Sequence, residues 1–201
     1  MQELVTCRNF SYTIGYKKLF SNLSFTISQN QIVHLSGDNG VGKSSLFKML
    51  IQESNNTSLV EWHNPNKKKI SYLGHELGLY SSLTLSENLE YFRGISASAE
   101  DIRKDLLEKF NLKKHIDSKV GTFSEGMKRK AGLLRALSPN ADLLLLDEPF
   151  NGLDQSSSQI LKEVLVNYSK VIGAIFMITH EKQNIGDILD REFTLRDGIL
   201  T

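Results

Sequence analysis

The fold is decided by the stretch Gly37-Asp38-Asn39-Gly40-Val41-Gly42-Lys43-Ser44, which fits the phosphate-binding loop pattern G-x-x-x-x-G-K-[ST]. In this pattern the glycines let backbone N–H groups turn inward around phosphate oxygens. A helix is predicted from Lys43 to Ile51, and its N-terminus adds favourable partial charge. We expect the loop and the adjacent Ser45 to bind a nucleotide, with Lys43 on its β- and γ-phosphates and the Ser44 hydroxyl on Mg²⁺.

Continuous apolar runs predict the strands of the sheet that carries this loop. They are Gln31 to Leu35, Ile70 to Leu73, Leu143 to Leu146 and Val171 to Ile178. Strands of this kind are what a parallel sheet requires when helices cover both of its faces. The phosphate-binding loop therefore belongs to a buried, parallel core.

Segments at the two ends of the chain predict antiparallel structure. Leu4 to Cys7 and Leu23 to Ile27, with a break near Gly15, read as short strands of an N-terminal sheet. The last segment, Glu192 to Leu200, predicts a hairpin that turns at Asp197-Gly198.

The segment from Gly78 to Leu137 reads as mostly helical, with one helix starting at Ser86-Glu87 and another over Asp101 to Phe110. The order of elements predicts an α/β protein. It has a core of mostly parallel sheet, an N-terminal antiparallel β subdomain and a helical subdomain inserted between the two halves of the core.

Two acids, Asp147 and Glu148, follow a buried apolar strand and reach the edge of the sheet beside the loop. Acids are common where strands end, so the pair alone is weak evidence of a site. When the acid pair follows a phosphate-binding loop in the sequence, it becomes strong evidence of a nucleotide site. We expect Asp147 to hold Mg²⁺, directly or through water, and Glu148 to act as the general base toward an attacking water.

The charge balance, the cysteine count and the apolar stretches of the chain limit which partners and compartments are expected. The chain has 201 residues, with 24 Lys and Arg against 23 Asp and Glu. A nucleic-acid-binding protein usually has a clear basic excess, so we expect no nucleic-acid partner. The single cysteine, Cys7, cannot form an internal disulfide, which fits a reducing compartment. Neither a signal peptide nor an apolar stretch of membrane-spanning length is apparent, so another chain must supply any membrane part.

The stretch Phe123-Ser124-Glu125-Gly126-Met127-Lys128 precedes a basic helix, Arg129 to Leu137, and resembles the signature motif of ABC-type ATPases. The glutamate and the methionine depart from its commonest form. The resemblance implies a P-loop NTPase (RecA-like) core that binds ATP with Mg²⁺. It also implies that Ser124 and Gly126 contact the nucleotide of a second ATPase subunit, so that two ATP molecules lie within a head-to-tail homodimer.

Two further motifs follow in the order of that family. Asn151-Gly152-Leu153-Asp154 is similar to the D-loop, which links the two sites of the dimer, and adds Asp154 to the nucleotide-site candidates. His180, at the end of an apolar strand, is similar to the switch histidine that senses the γ-phosphate. The resemblance thus makes Glu148, His180 and Lys43 the catalytic candidates.

Two positions depart from the family pattern. Where the family has a glutamine that touches Mg²⁺ and water, this chain has His75. Histidine can bond a water or coordinate a metal, so His75 is a metal-site candidate in altered form. The aromatic residue that stacks on adenine is expected near Ile14, and either Tyr12 or Tyr16 supplies it if the loop is offset.

The resemblance covers essentially the whole chain and implies a single ABC ATPase domain. Residues 1–77 and 138–201 would form the RecA-like core with the antiparallel β subdomain, and residues 78–137 the helical signature subdomain. It further implies separate integral membrane transport subunits as partners. The location implied is cytoplasmic, peripheral on the inner face of the cell membrane.

The branch of the family is left open by the sequence. Gly74-His75 and Leu83 to Leu89 resemble the ATP-binding subunits of haem export, or cytochrome c maturation, whereas Met127 to Lys130 and Phe150 to Asp154 resemble exporters of drugs or small peptides. Soluble ABC ATPases of translation or DNA repair usually carry tandem domains or long coiled-coil insertions, for which this chain has no room. A regulatory subunit without hydrolysis is a further alternative, against which Glu148 and His180 argue.

Overall fold

The computed structural model describes residues 2–64, 66, 68–93, 100–137 and 141–201. In chain order the elements are β1 (Glu3–Ile14), β2 (Lys17–Ser28), β3 (Ile32–Ser36), α1 (Lys43–Gln52), β4 (Val60–Trp62), β5 (Ile70–Leu73), α2 (Leu85–Arg93), α3 (Glu100–Lys109), α4 (Glu125–Leu137), β6 (Leu143–Asp147), α5 (Gln155–Val171), β7 (Ala174–Ile178), β8 (Arg191–Arg196) and β9 (Ile199–Leu200). The predicted domain boundary at residue 138 lies outside the described residues.

The N-terminal sheet is antiparallel, with the strand order β2-β1-β4. The two short strands predicted here are parts of two strands of twelve residues each. They are joined by a tight turn in which Gly15 has a φ of 58°. Irregular register along β1 and β2, with positive φ at Asn9 and Asn22, lets the long hairpin continue through polar residues that read as breaks in the sequence.

The second sheet has the strand order β5-β6-β7-β3-β8-β9, and all neighbouring strands are parallel except the final pair. The fold-class prediction is therefore confirmed. The final pair is the predicted hairpin, in which Asp197 and Gly198 both have positive φ, as a tight turn of this kind requires.

Both faces of the parallel sheet are buried, as the apolar runs predicted. Leu143 and Leu145 of β6 pack into a cluster with α1 and the antiparallel sheet, whereas Leu144 and Leu146 pack into a second cluster with the later helices. This alternation follows from the two-residue period of a strand. Each fully buried leucine contributes about 2 kcal/mol of burial free energy, which stabilises β6 between the two layers that cover the sheet.

Two predicted boundaries move for identifiable reasons. Val171 is the last residue of α5, and β7 begins only at Ala174, because the chain turns at Gly173. A Cβ at Gly173 would lie 2.5 Å from two carbonyl oxygens. Helix α2 begins at Leu85, because Thr84 and Glu87 form a reciprocal capping box.

The helices α2, α3 and α4 lie between β5 and β6 in the chain, and α4 packs directly against β5. Helix α4 therefore stands beside the sheet edge at which β5 and β6 end. Within the part of the chain that the structure describes, no helix is both long enough and apolar enough to cross a membrane.

Candidate functional site

A cleft of about 720 Å³ lies where β3, β6 and β7 end, and we call it the phosphate cleft. Part of its lining comes from the predicted loop and the start of α1: Asn39, Gly40, Gly42, Lys43, Ser44 and Ser45. Another part comes from residues that follow β5, β6 and β7: His75, Asp147, Glu148 and His180. The sheet thus brings together residues that are far apart in the sequence, because parallel strands end at the same edge.

The glycines of the loop are required by close contacts and by backbone conformation. Gly37 has a φ of 142°, and a Cβ there would lie 2.4 Å from the Leu195 carbonyl oxygen. Gly42 has a φ of 113°, and a Cβ there would lie 3.0 Å from the Phe20 ring. A side chain at Gly37 or Gly42 would clash with Leu195 or Phe20 and displace the loop.

Lys43 is the buried cation of the loop and is 8% exposed. Its Nζ donates to the carbonyl oxygens of Gly37 (2.6 Å) and Asp38 (3.0 Å). The N–H of Val41 also donates to the Asp38 carbonyl oxygen, at 3.3 Å. Lys43 lines the cleft, whereas Gly37, Asp38 and Val41 are not among its lining residues.

Asp147 and Ser44 are the residues that fit a magnesium ion. Asp147 is 2% exposed, and its Oδ2 is buried without a hydrogen-bond partner among the described residues. Ser44 lines the same cleft. Mg²⁺ is commonly held by one or two carboxylates together with substrate phosphates and waters, which matches this sparse set of oxygens better than an all-protein cage would. Across the described ranges, no group of three His, Cys, Asp or Glu is placed to hold a metal.

Glu148 and His180 contact each other at the mouth of the cleft. The His180 N–H donates to Glu148 Oε2 at 3.2 Å, and His180 Nε2 lies 3.5 Å from Oε1. The Glu148 side chain is 16% exposed, whereas that of His180 is 56% exposed. Glu148 has a φ of 52°, which non-glycine residues seldom adopt. The turn after β6 thereby aims the carboxylate of Glu148 into the cleft.

His75 is exposed and lies between two surfaces. It lines the phosphate cleft together with Ser44 and Asp147, and it also lines a neighbouring groove of about 650 Å³ along β5. Gly74 precedes it because the Tyr72 hydroxyl would lie 2.4 Å from a Cβ at that position. Burial, with the charges of Asp147 and Glu76, raises the pKa of Tyr72 to about 12, so this hydroxyl stays neutral. Metal binding by His75 stays a prediction.

Ser124, Gly126 and Asp154 do not line the phosphate cleft, and we call the surface they form the Ser124 face. Ser124 is exposed, and its Oγ accepts from the Met127 N–H at 3.3 Å, which caps α4. Asp154 caps α5 by accepting from the Ser157 N–H at 2.7 Å, and Lys130 Nζ lies 3.1 Å from its other oxygen. These bonds lower the pKa of Asp154 to about 2.

Neither tyrosine that was predicted to stack on adenine lines the cleft. Tyr12 stacks on Phe20, with ring centroids 6.4 Å apart, and Tyr16 is fully exposed beyond the hairpin turn. Leu19 lines the cleft instead. The aromatic contact to adenine therefore stays a prediction, and no motif in the sequence singles out Leu19.

Arg129 is a residue that sequence reasoning missed. It lies in α4, is 9% exposed, and donates to the carbonyl oxygens of Gly74, Asp147 and Glu148. In the sequence it stands among other basic residues of an amphipathic helix, and nothing there separates a buried arginine from a solvated one.

Comparisons with known proteins agree with this geometry. The ABC transporter family profile matches residues 20–151, which is most of the chain. The chain is 30% identical to the ABC transporter ATP-binding protein NatA of Bacillus subtilis, over 98% of this chain and 87% of that protein. It is 31% identical to the cytochrome c biogenesis ATP-binding export protein CcmA of Shewanella frigidimarina, over 96% of this chain and 94% of that protein.

Solved structures give the same result. A structure described as the ATP-binding subunit of an ABC transporter superimposes with a TM-score of 0.84 at 25% identity, covering 98% of this chain and 88% of that one. A nucleotide-free ATP-binding cassette from an ABC transporter superimposes with a TM-score of 0.76 at 18% identity, covering 99% and 90%. The chain therefore belongs to the ABC transporter family as an ATP-binding subunit, and it is an ATPase.

Proposed function

We propose that this chain hydrolyses ATP as one half of a head-to-tail homodimer and drives export through separate integral membrane subunits. The observation that carries the proposal is the division of the site. Lys43, Ser44, Asp147, Glu148 and His180 meet around one cleft, whereas the Ser124 face points elsewhere. A second copy of the chain, turned head to tail, would bring its Ser124 face to the phosphate cleft of the first.

Within the phosphate cleft each residue has a separate task. Lys43 would leave its loop carbonyls and bind the β- and γ-phosphates, because its amine is a buried cation whose hydrogen bonds among the described residues go to neutral carbonyl oxygens. Ser44 and Asp147 would hold Mg²⁺, which when bound neutralises charge on the phosphates. Placing these charges in advance is the main source of catalysis in phosphoryl transfer.

The hydrolytic water would be activated by Glu148. Its carboxylate is held by the backbone N–H of His180, which leaves the other oxygen directed to the cleft and to the imidazole. His180 would bond the γ-phosphate with its exposed ring and so align phosphate and base. As water attacks the γ-phosphorus, its proton passes to Glu148, the bond from phosphorus to the bridging oxygen breaks, and ADP is the leaving group.

Transmission to a membrane subunit would start at His75. His75 lines both the phosphate cleft and the groove along β5, as Ser44 and Asp147 do, and of these three side chains it is the exposed one. We place the cytoplasmic part of a membrane subunit at that groove, and the chain itself at the inner face of the cell membrane.

Export is supported by the names of relatives. The Shewanella frigidimarina relative is named for export in cytochrome c biogenesis, and LptB of Haemophilus influenzae, 28% identical over 98% of this chain and 88% of that protein, is named for lipopolysaccharide export. The Gly74-His75 loop and the CcmA relative support haem, in cytochrome c maturation, as one candidate cargo, and Met127 to Lys130 with Phe150 to Asp154 support drugs or small peptides as the other.

The role of Glu148 is tested by Glu148→Gln. This variant should bind MgATP as wild type does, lose about 100-fold or more in turnover, and accumulate as an ATP-bound dimer in size-exclusion chromatography. Glu181→Gln, which neutralises another acid of the same cleft, should keep turnover within about threefold. Near-normal turnover by Glu148→Gln would refute the assignment of the base.

The membrane partner is tested by purifying the tagged chain from detergent-solubilised membranes. An integral membrane protein should co-purify in a fixed ratio, and haem-handling subunits would select the cytochrome c branch. Recovery of the chain without any membrane protein, at native expression and in mild detergent, would contradict the proposed transport role.

A further inference from the structure

One buried guanidinium joins three segments of the site. Nη1 of Arg129, in α4, donates to the Gly74 carbonyl oxygen at 3.3 Å. Nη2 donates to the Asp147 carbonyl oxygen at 3.0 Å and also to the Glu148 carbonyl oxygen. Gly74 follows β5 and directly precedes His75, Asp147 is the last residue of β6, and Glu148 is the proposed general base. The same helix begins at the Ser124 face.

The segment that Arg129 holds is one whose conformation must be imposed. Glu148 has a φ of 52°, and such a conformation persists in a non-glycine residue only when its surroundings fix it. The Glu148 N–H donates to the Ile178 carbonyl oxygen at 2.8 Å, and the Glu148 carbonyl oxygen accepts from Arg129 and, at 3.2 Å, from the Asn151 N–H. Arg129 is therefore the side chain among the groups that hold the backbone on which the direction of the Glu148 carboxylate depends.

The position of Arg129 is costly for stability alone. Its side chain is buried, its hydrogen bonds in the described chain go to neutral carbonyls, and its Nε has no partner there. Burial lowers the pKa of Arg129, and the nearby charges of Asp147 and Glu148 oppose that shift. A buried cation with neutral partners usually signals a requirement other than folding.

A second arginine of α4 provides an internal comparison. Arg135 is partly buried, its buried Nε also has no partner among the described residues, and its Nη2 donates to the Tyr72 carbonyl oxygen at 2.7 Å. Burial lowers the pKa of Arg135 as well. Within the described chain, Arg135 contacts β5 and the Phe92 ring, and it does not bond to Asp147 or Glu148.

We infer that Arg129 is a positioning residue for hydrolysis, which locks the backbone of Glu148 and the start of the His75 loop to the helix that carries Ser124. Movement of α4, when the Ser124 face engages a nucleotide, is thereby passed to the general base. The inference rests on the proposed role of Glu148, through which Arg129 acts.

The test compares kcat and KM for MgATP in purified Arg129→Gln, Arg129→Lys and Arg135→Gln. Arg129→Gln should lose about 10- to 100-fold in kcat, because misplacing a base by a fraction of an ångström has effects of this size. Its KM should stay within about threefold of wild type, since phosphate contacts are kept. Arg129→Lys should recover part of the loss, and Arg135→Gln should keep kcat within about threefold.

A double variant separates this inference from the role of Glu148. Glu148→Gln with Arg129→Gln should turn over no more slowly than Glu148→Gln alone, because Arg129 acts through the lost base. Equal kcat losses in Arg129→Gln and Arg135→Gln would overturn the inference, as would a loss confined to KM or a failure of both Arg129 variants to fold. Normal turnover by Glu148→Gln itself would instead refute the assignment of the base.

Discussion

The phosphate cleft and the Ser124 face differ in how much of a nucleotide site one chain supplies. In the cleft, Lys43 and Asp147 are buried and aimed at a common space. On the Ser124 face, Ser124 and Asp154 are exposed, and in the described part of the chain their side chains bond to their own helix ends and to a neighbouring lysine. The contrast teaches that the first region is preformed by folding, whereas the second becomes a site only when another molecule brings a phosphate to it.

The largest effect should come from breaking the preformed region at Lys43. Lys43→Ala removes the cation of the loop, and kcat/KM for MgATP should fall by about 100- to 1000-fold. Lys48→Ala, which removes an exposed lysine from the same helix, should change it by less than about twofold. Similar losses in the two variants, measured in a coupled ATPase assay, would show that Lys43 acts through general charge.

The Ser124 face should give a smaller effect of a different kind. Ser124→Ala removes one donor to a charged phosphate, which corresponds to a loss of about 10- to 100-fold in turnover. ATP binding by the isolated chain should be unchanged, because Ser124 lies outside its own cleft. Thr122→Ala, which removes an exposed hydroxyl bonded to Lys119, is the matched control. Weakened binding in the monomeric chain would contradict the division of the site.

His75 lies at the border of the cleft and the groove, and its substitution should have an intermediate effect. His75→Gln should keep turnover within about threefold, because an amide can replace the imidazole in a bond to water. His75→Ala should lower it by about tenfold. A large loss in His75→Gln, in steady-state assays over a range of Mg²⁺ concentrations, would show that the imidazole has a role of its own.

The smallest effect concerns the stability of the Ser124 face. Asp154→Ala removes the cap of α5 and should lower the free energy of unfolding by about 1 kcal/mol at pH 7. Since the folded pKa is depressed from 3.8 to about 2, the contribution of the ionised carboxylate is full above pH 4 and declines as the pH falls toward 2. Urea denaturation at pH 7 and near pH 3 should therefore show the difference shrink. The exposed neighbour Gln155→Ala should show no such trend.

The preformed region was also the more predictable one. The loop and β6 carry patterns that depend on few residues: glycines that must turn, and four leucines that must be buried on both faces. The lengths of β1 and β2 were not predictable, because Asn9 and Asn22 read as turn residues, although the hairpin absorbs them as irregularities with positive φ.

Arg129 shows the limit of sequence reasoning for the site itself. A helical period places it on a face of α4, but the three carbonyls it holds come from β5 and β6, and only the packing of the helix on the sheet brings them together. Leu19 was missed for a related reason, since the sequence pattern of a strand does not indicate which of its apolar residues lines a cleft.

The shared site is tested most directly by mixing two inactive proteins, Lys43→Ala and Ser124→Ala. In a head-to-tail pair of one of each, one site carries both changes, and the other combines an intact Lys43 with an intact Ser124. An equimolar mixture should therefore recover about a quarter of wild-type ATPase activity, because half of the pairs are mixed and each has one intact site. A mixture whose activity equals the mean of the two proteins measured alone would contradict a site divided between two subunits.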